Sequence, residues 1–219
     1  MKPKAIVFDA YGTLFDVNSA AEKCKSKIGN KWESFANFWR TTQLEYTWLR
    51  SLMKKHKDFW QITEDSLDKS MKVFNIDNSL KKELLNLYKI LSPYPEVKKV
   101  LTNLKEKKFK LAILSNGTPE LLEELVKGNN LDNLFDDLFS IEQVKIYKPD
   151  SKVYDLPIKK YKIKPEEIVF LSANTWDVSG GGNYGYNSVW VNRNKSHFDN
   201  LDYHPKNEIG NLTQLLDIV

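Results

Sequence analysis

A short apolar run, Ala5-Ile6-Val7-Phe8, ends on an aspartate, and Tyr11-Gly12-Thr13 follows with turn chemistry. This pattern places the Asp9 carboxylate at the carboxyl end of a buried strand, where it is rigidly held and can attack an electrophile. Such a nucleophile works best beside a cation, which favours its ionised form and offsets its charge. Lys148, in Tyr147-Lys148-Pro149-Asp150, is the natural candidate. Two further apolar runs end on polar residues in the same manner. Lys110-Leu111-Ala112-Ile113-Leu114 stops at Ser115-Asn116-Gly117, and Ile168-Val169-Phe170-Leu171 stops at Ser172-Ala173-Asn174. Three predicted strands therefore deliver side chains able to hold or activate small molecules.

The elements that must position these ends are legible as an alternation. Residues 96–107 carry Val97, Val100, Leu101 and Leu104 at helical spacing. Residues 119–127 open with Pro in the first turn and carry Leu121, Leu122, Leu125 and Val126. Strand alternates with helix from Pro95 onward, which predicts an α/β fold: a Rossmann-like parallel sheet with helices on both faces. In such sheets ligands bind outside the carboxyl ends of the strands. The stretch from 16 to 92 departs from the alternation. It lacks strand signals and is rich in aromatics at helical spacing, among them Trp32, Phe35, Trp39, Trp48 and Phe59. These aromatics are read mostly as core, with one or two facing a pocket. The stretch is a helical cap inserted after the first strand, and Pro93 and Pro95 mark the return. The expected division is residues 1–15 and 93–219 for the core and 16–92 for the cap.

Composition narrows the classes. With 41% hydrophobic and 28% charged residues the 219-residue chain has a globular balance. The net charge of +4 is spread over lysines scattered among acids, which reads as solvated faces and not as a nucleic-acid surface. Cys24 is the single cysteine, so no intramolecular disulfide is possible, and it is read as a small half-buried hydrophobe. No apolar stretch approaches the roughly 18 residues a membrane span needs, and Met1-Lys2-Pro3-Lys4 runs straight into the first strand. A cytoplasmic protein is expected. His56, His197 and His204 lie far apart without metal-ligand spacing. Gly180-Gly181-Gly182 lacks the Lys-Ser/Thr ending of a phosphate loop and is read as a flexible turn.

The run Phe8-Asp9-Ala10-Tyr11-Gly12-Thr13-Leu14 resembles the first motif of the haloacid dehalogenase superfamily. Ser115-Asn116, Lys148-Pro149 and Ser172-Ala173-Asn174-Thr175-Trp176-Asp177 resemble its later motifs, in the expected order over nearly the whole chain. Two departures are informative. Phosphatases of this superfamily carry a second aspartate two residues after the nucleophile to protonate a leaving alkoxide, and here that place is Tyr11. A halide leaves as the anion of a strong acid and needs no proton. Magnesium-dependent relatives supply a carboxylate pair in the fourth motif, where this chain has Ser172-Ala173 and keeps only Asp177. No metal or other cofactor is expected.

What remains resembles the (S)-2-haloacid dehalogenase branch. The resemblance implies a 2-haloacid substrate, an ester on Asp9, and inversion at C2 to an (R)-2-hydroxy acid. It also implies that Arg40, in Phe38-Trp39-Arg40, accepts the departing halide, helped by Asn116 and Trp176, with Tyr11, Leu44 and Phe59 lining the site. Ser115 and Lys148 would hold the substrate carboxylate. Thr13 and Tyr154 would support their neighbours, and Asp177, with Ser172 and Asn174, would orient or activate the water. Which residue takes the proton stays open. A homodimer is a further implication of the family. Two other readings stand beside this one: a Mg²⁺-dependent phosphatase that has lost its acid, and a non-catalytic descendant that binds a small acid or a protein partner.

Overall fold

The computed structural model describes residues 3–219. Its first regular element, β1 (Ala5–Phe8), is apolar and fully buried at all four positions, as a strand covered on both sides requires. Helices follow: α1 (Ser19–Lys23), α2 (Lys25–Ile28), α3 (Trp32–Leu52), α4 (Phe59–Phe74) and α5 (Lys81–Lys89). α3 packs along α4, and Phe35, Trp39, Phe59 and Ile62 are buried there. Asp58 starts α4 by accepting the Gln61 amide at 2.8 Å, and Asn75 ends it in the left-handed conformation. Departure from the sheet and return to it lie side by side: Phe15 bridges Pro93, and the Asp16 amide donates to the Ser92 carbonyl at 2.8 Å.

The predicted alternation then begins. It runs α6 (Val97–Glu106), β2 (Lys110–Ser115), α7 (Pro119–Gly128), β3 (Asp137–Ser140), α8 (Ser151–Tyr161), β4 (Ile168–Ser172), α9 (Thr175–Tyr184), β5 (Asn187–Val191) and β6 (Asn207–Ile209). The face of α6 read from the sequence, Val97, Val100, Leu101 and Leu104, is buried. Thr118 caps α7 by accepting the Leu121 amide at 3.2 Å. The six strands form one parallel sheet in the order β3-β2-β1-β4-β5-β6. Connections run outward from β1 through β2 to β3, then cross back to β4. The switch point therefore falls beside β1, and the carboxyl ends of β1, β2 and β4 open into one crevice. The Asp9 amide donates to the Leu171 carbonyl at 2.8 Å, which keeps Asp9 level with the end of β4.

One expectation is corrected. Gly180-Gly181-Gly182 is not a flexible turn but the interior of α9. The glycines are there because of close approach. A Cβ on Gly180 would meet the Tyr154 hydroxyl and would lie 2.7 Å from Pro149 Cβ, and one on Gly181 would lie 2.7 Å from the Phe170 ring. Intrinsic propensity alone would make Gly181→Ala stabilising by about 1 kcal/mol. The overlap with Phe170 outweighs this, so the variant is expected to lose about 1–3 kcal/mol, read as a lower midpoint in urea denaturation with unchanged slope. Cys24 is completely buried, deeper than the half-buried placement expected.

Candidate active site

Asp9 sits just beyond β1, 5% exposed, and polar groups from the ends of β1 and β4 and from the segment before α8 converge on its carboxylate. Oδ2 accepts from Thr13 Oγ1 at 3.0 Å, Asn174 Nδ2 at 2.9 Å and Ser172 Oγ at 3.4 Å. Oδ1 accepts from Lys148 Nζ at 3.1 Å. The donors are themselves fixed. Thr13 Oγ1 accepts the Ala173 amide at 2.8 Å, Ser172 Oγ accepts the Asn174 amide at 3.1 Å, and the Lys148 amide donates to Asn116 Oδ1 at 3.1 Å. Lys148 enters from the segment before α8, on the far side of a cis peptide bond to Pro149.

The Lys148 ammonium is shared. It also donates to Asp177 Oδ2 at 2.8 Å, and the three side chains are all buried. Tyr154 Oη donates to Asp177 Oδ1 at 2.7 Å. Burial alone would lower the Lys148 pKa, but Asp177 and Asp9 reverse that and raise it, so the ammonium is retained. For Asp177 burial is the largest effect. With the nearby Asp9 charge it outweighs Lys148 and Tyr154 and pushes the carboxyl up to about 6. Folding thus raises this pKa above its unfolded value. The group's contribution favours the fold below that unfolded value and is lost as pH rises through about 6. If ionised Asp177 is the working form, kcat falls about tenfold per pH unit on the acid side of that value. Tyr154→Phe removes a hydrogen bond that lowers this pKa, and a pH–rate profile should show the acid limb displaced upward.

Across the crevice, Arg40 projects from α3 and its Nη2 donates to the Tyr11 carbonyl at 3.4 Å. That carbonyl also accepts Asn174 Nδ2 at 3.2 Å, so the guanidinium is one backbone oxygen away from the group that holds Asp9. The Tyr11 ring stacks on Tyr88 at 5.7 Å and packs on Phe59 at 5.2 Å. Burial, reinforced by Tyr88, raises the Tyr11 phenol well above its ordinary pKa and keeps it neutral. Leu44 lies one turn beyond Arg40 on α3 and is half-buried. Trp176, in the first turn of α9, meets Trp48 of α3 edge to face at 5.5 Å.

Asp9, Thr13, Lys148, Tyr154, Ser172, Asn174 and Asp177 are thus joined in one hydrogen-bonded network, and Asn116 attaches to it through the Lys148 backbone. Ser115 stands apart: it ends β2 fully buried, and its Oγ accepts the Gly117 amide at 3.1 Å. Two groups escaped the sequence reading. Gln43 accepts Arg40 Nη1 at 2.9 Å and is clamped by Thr63 and Tyr88, which aims the guanidinium. Its signal was a glutamine three residues after Arg40, hence on the same helix face. Arg193 donates to the Thr13 carbonyl at 2.9 Å and to Glu96 at 2.6 Å, and stacks on Tyr94. Its one pointer in the sequence is that the chain holds just three arginines, Arg40, Arg50 and Arg193, so that each position of a permanently charged anion clamp is informative.

A family model described as haloacid dehalogenase-like hydrolase matches residues 3–185. The (S)-2-haloacid dehalogenase 4A of Burkholderia cepacia is 38% identical over 97% of this chain and 93% of its own length. The (S)-2-haloacid dehalogenase 1 of Pseudomonas sp. (strain CBS-3) is 43% identical over 87% of this chain and 85% of its own. The solved L-2-haloacid dehalogenase of Xanthobacter autotrophicus with chloropropionic acid covalently bound superposes with a TM-score of 0.92 at 31% identity, covering 100% of this chain and 98% of that one. The order of motifs, the parallel sheet and these matches agree: the chain belongs to the haloacid dehalogenase-like hydrolases.

Proposed function

We propose that this protein hydrolyses (S)-2-haloalkanoic acids to (R)-2-hydroxy acids through an ester on Asp9. The observation that carries the reading is the Asp9 carboxylate: three donors grip Oδ2, while Oδ1 accepts only from Lys148 among the described residues. Oδ1 keeps lone-pair capacity for attack. It displaces the halide at C2 from the face opposite the carbon–halogen bond, which inverts that centre. The electron pair of the broken bond leaves with the halide toward Arg40, whose guanidinium stabilises the forming anion beside the Tyr11, Leu44 and Phe59 wall. Asn116 and Trp176 complete that cradle, and Tyr11, neutral and without a second carboxylate, suits a leaving group that needs no proton. Ser115 and neighbouring backbone amides hold the substrate carboxylate.

Water then attacks the ester carbonyl carbon of Asp9. Asp177, set by Lys148 and Tyr154, orients that water together with Ser172 and Asn174. Breaking the acyl–oxygen bond releases the 2-hydroxy acid, whose alkoxide takes up one proton, and restores the carboxylate. Overall one water is consumed, and one proton and one halide are released. The cation between the two carboxylates is Lys148, so the cycle needs no metal. Residues 16–92 act as the cap that brings Arg40 to a core made of 1–15 and 93–219. The homodimer rests on the family resemblance and the cytoplasmic setting on the lone cysteine.

The test is halide release. Purified protein with (S)-2-chloropropionate and excess chelator is expected to release one chloride per (R)-lactate formed, with the (R)-acid untouched. Activity that disappears with chelator and returns with Mg²⁺, or a folded protein that releases no halide, overturns the reading.

A further inference from the structure

Beyond the network around Asp9 lies a cavity of about 620 Å³ whose wall is nearly all hydrocarbon: Trp48, Leu52, Ile146, Tyr147, Pro149 and Trp176. Its size is that of a pocket for a drug-sized ligand, far beyond what a three-carbon acid fills. Two of its lining residues, Lys148 and Trp176, also belong to the site already described, so the cavity and the crevice share a wall. The wall is held in place. The Tyr147 amide donates to Ser51 Oγ at 3.3 Å, its hydroxyl donates to the Lys57 carbonyl at 2.5 Å, and the Lys148 amide is fixed by Asn116. At the rim Leu52 is 79% exposed, while Lys54 and Asp150 supply the charged edge.

We propose that this cavity receives the alkyl chain of the substrate, and that Trp48, Leu52 and Ile146 set the accepted chain length. The inference rests on the reading of the site as a 2-haloacid dehalogenase. With C2 presented to Asp9 and the halide toward Arg40, the substituent on C2 passes the Trp48–Trp176 pair and lies along the apolar wall. Each methylene moved there from water strengthens binding about fourfold. The preferred substrates are therefore 2-haloacids with chains well beyond three carbons. Leu52 acts on binding of the tail and not on the chemical step.

The experiment compares (S)-2-bromopropionate with (S)-2-bromooctanoate on the native enzyme, Leu52→Asp and Leu52→Met. The native enzyme is expected to show the lower KM for the octanoate. Leu52→Asp should raise that KM at least tenfold, with kcat and all constants for the propionate within twofold, and Leu52→Met should retain the native preference. Native protein that turns over the propionate but not the octanoate overturns the inference, as does a Leu52→Asp variant that treats both acids alike. If that variant loses both activities and sediments as a smaller species, Leu52 belongs to a contact between copies and the inference fails. Folded native protein that releases bromide from neither acid removes the dehalogenase reading itself, and this inference with it.

Discussion

Asp9→Asn is expected to lower kcat for (S)-2-chloropropionate by at least about 10⁴-fold, because the only atom placed to form the ester loses its charge and nucleophilicity. The fold should survive. The new amide is isosteric, and its carbonyl oxygen can still accept from Thr13 and Asn174, the shorter of the contacts on Oδ2. What is lost is one acceptor facing Lys148, which keeps Asp177 as its partner at 2.8 Å. Circular dichroism and the thermal midpoint should therefore change little while halide release disappears. In the native enzyme a single turnover in ¹⁸O-labelled water should put the label on the Asp9 side chain before it reaches product, detected by peptide mass spectrometry. Label appearing first in the hydroxy acid would show water attacking C2 directly.

Lys148→Met should damage both folding and catalysis. The side chain is 1% exposed and is the cation contacting both Asp9 and Asp177. Removing one partner of a buried ion pair costs about 3–5 kcal/mol, since the remaining charge keeps its desolvation penalty without its partner. For a chain of this length that is roughly 6–20 °C in Tm. The sign with pH is specific. Without the ammonium, which lowers it, the Asp177 pKa rises further, so protonation of that carboxyl relieves the repulsion and the difference from native shrinks as pH falls. Calorimetry at pH 5 and pH 8 reads this directly. A deficit equal at both values would mean that lost packing, not uncompensated charge, dominates.

Much of this site is legible in the sequence because its residues sit at ends of buried strands. A strand covered on both faces must be a continuous apolar run, so the first polar residue after Phe8, Leu114 or Leu171 marks the strand's end and the crevice at once. Asp9, Ser115, Asn116, Ser172 and Asn174 are found that way, and Lys148 follows from the charge that a buried carboxylate needs. The groups that escaped are set by packing between distant segments. Gln43 matters because Thr63 of α4 and Tyr88 of α5 clamp it, and Arg193 because β5 ends beside Thr13. Neither meeting has a local signature. The three glycines of α9 failed for the same reason: glycine is a poor helix former, and only the positions of Tyr154, Phe170 and Tyr203 explain its presence at 180, 181 and 182.

One ammonium set between two carboxylates, with a guanidinium across the Tyr11 carbonyl, makes the empty cleft electroneutral at neutral pH. A haloacid anion brings in a surplus of one negative charge. On the proposed cycle, esterification does not change that surplus but relocates it from Asp9 to the halide. Once the halide diffuses away, Lys148, Arg40, Asp177 and the bound carboxylate balance again. Departure of the ion is thus favoured by the field of the cleft itself, and the ester waits for water in neutral surroundings, where added chloride has little reason to return.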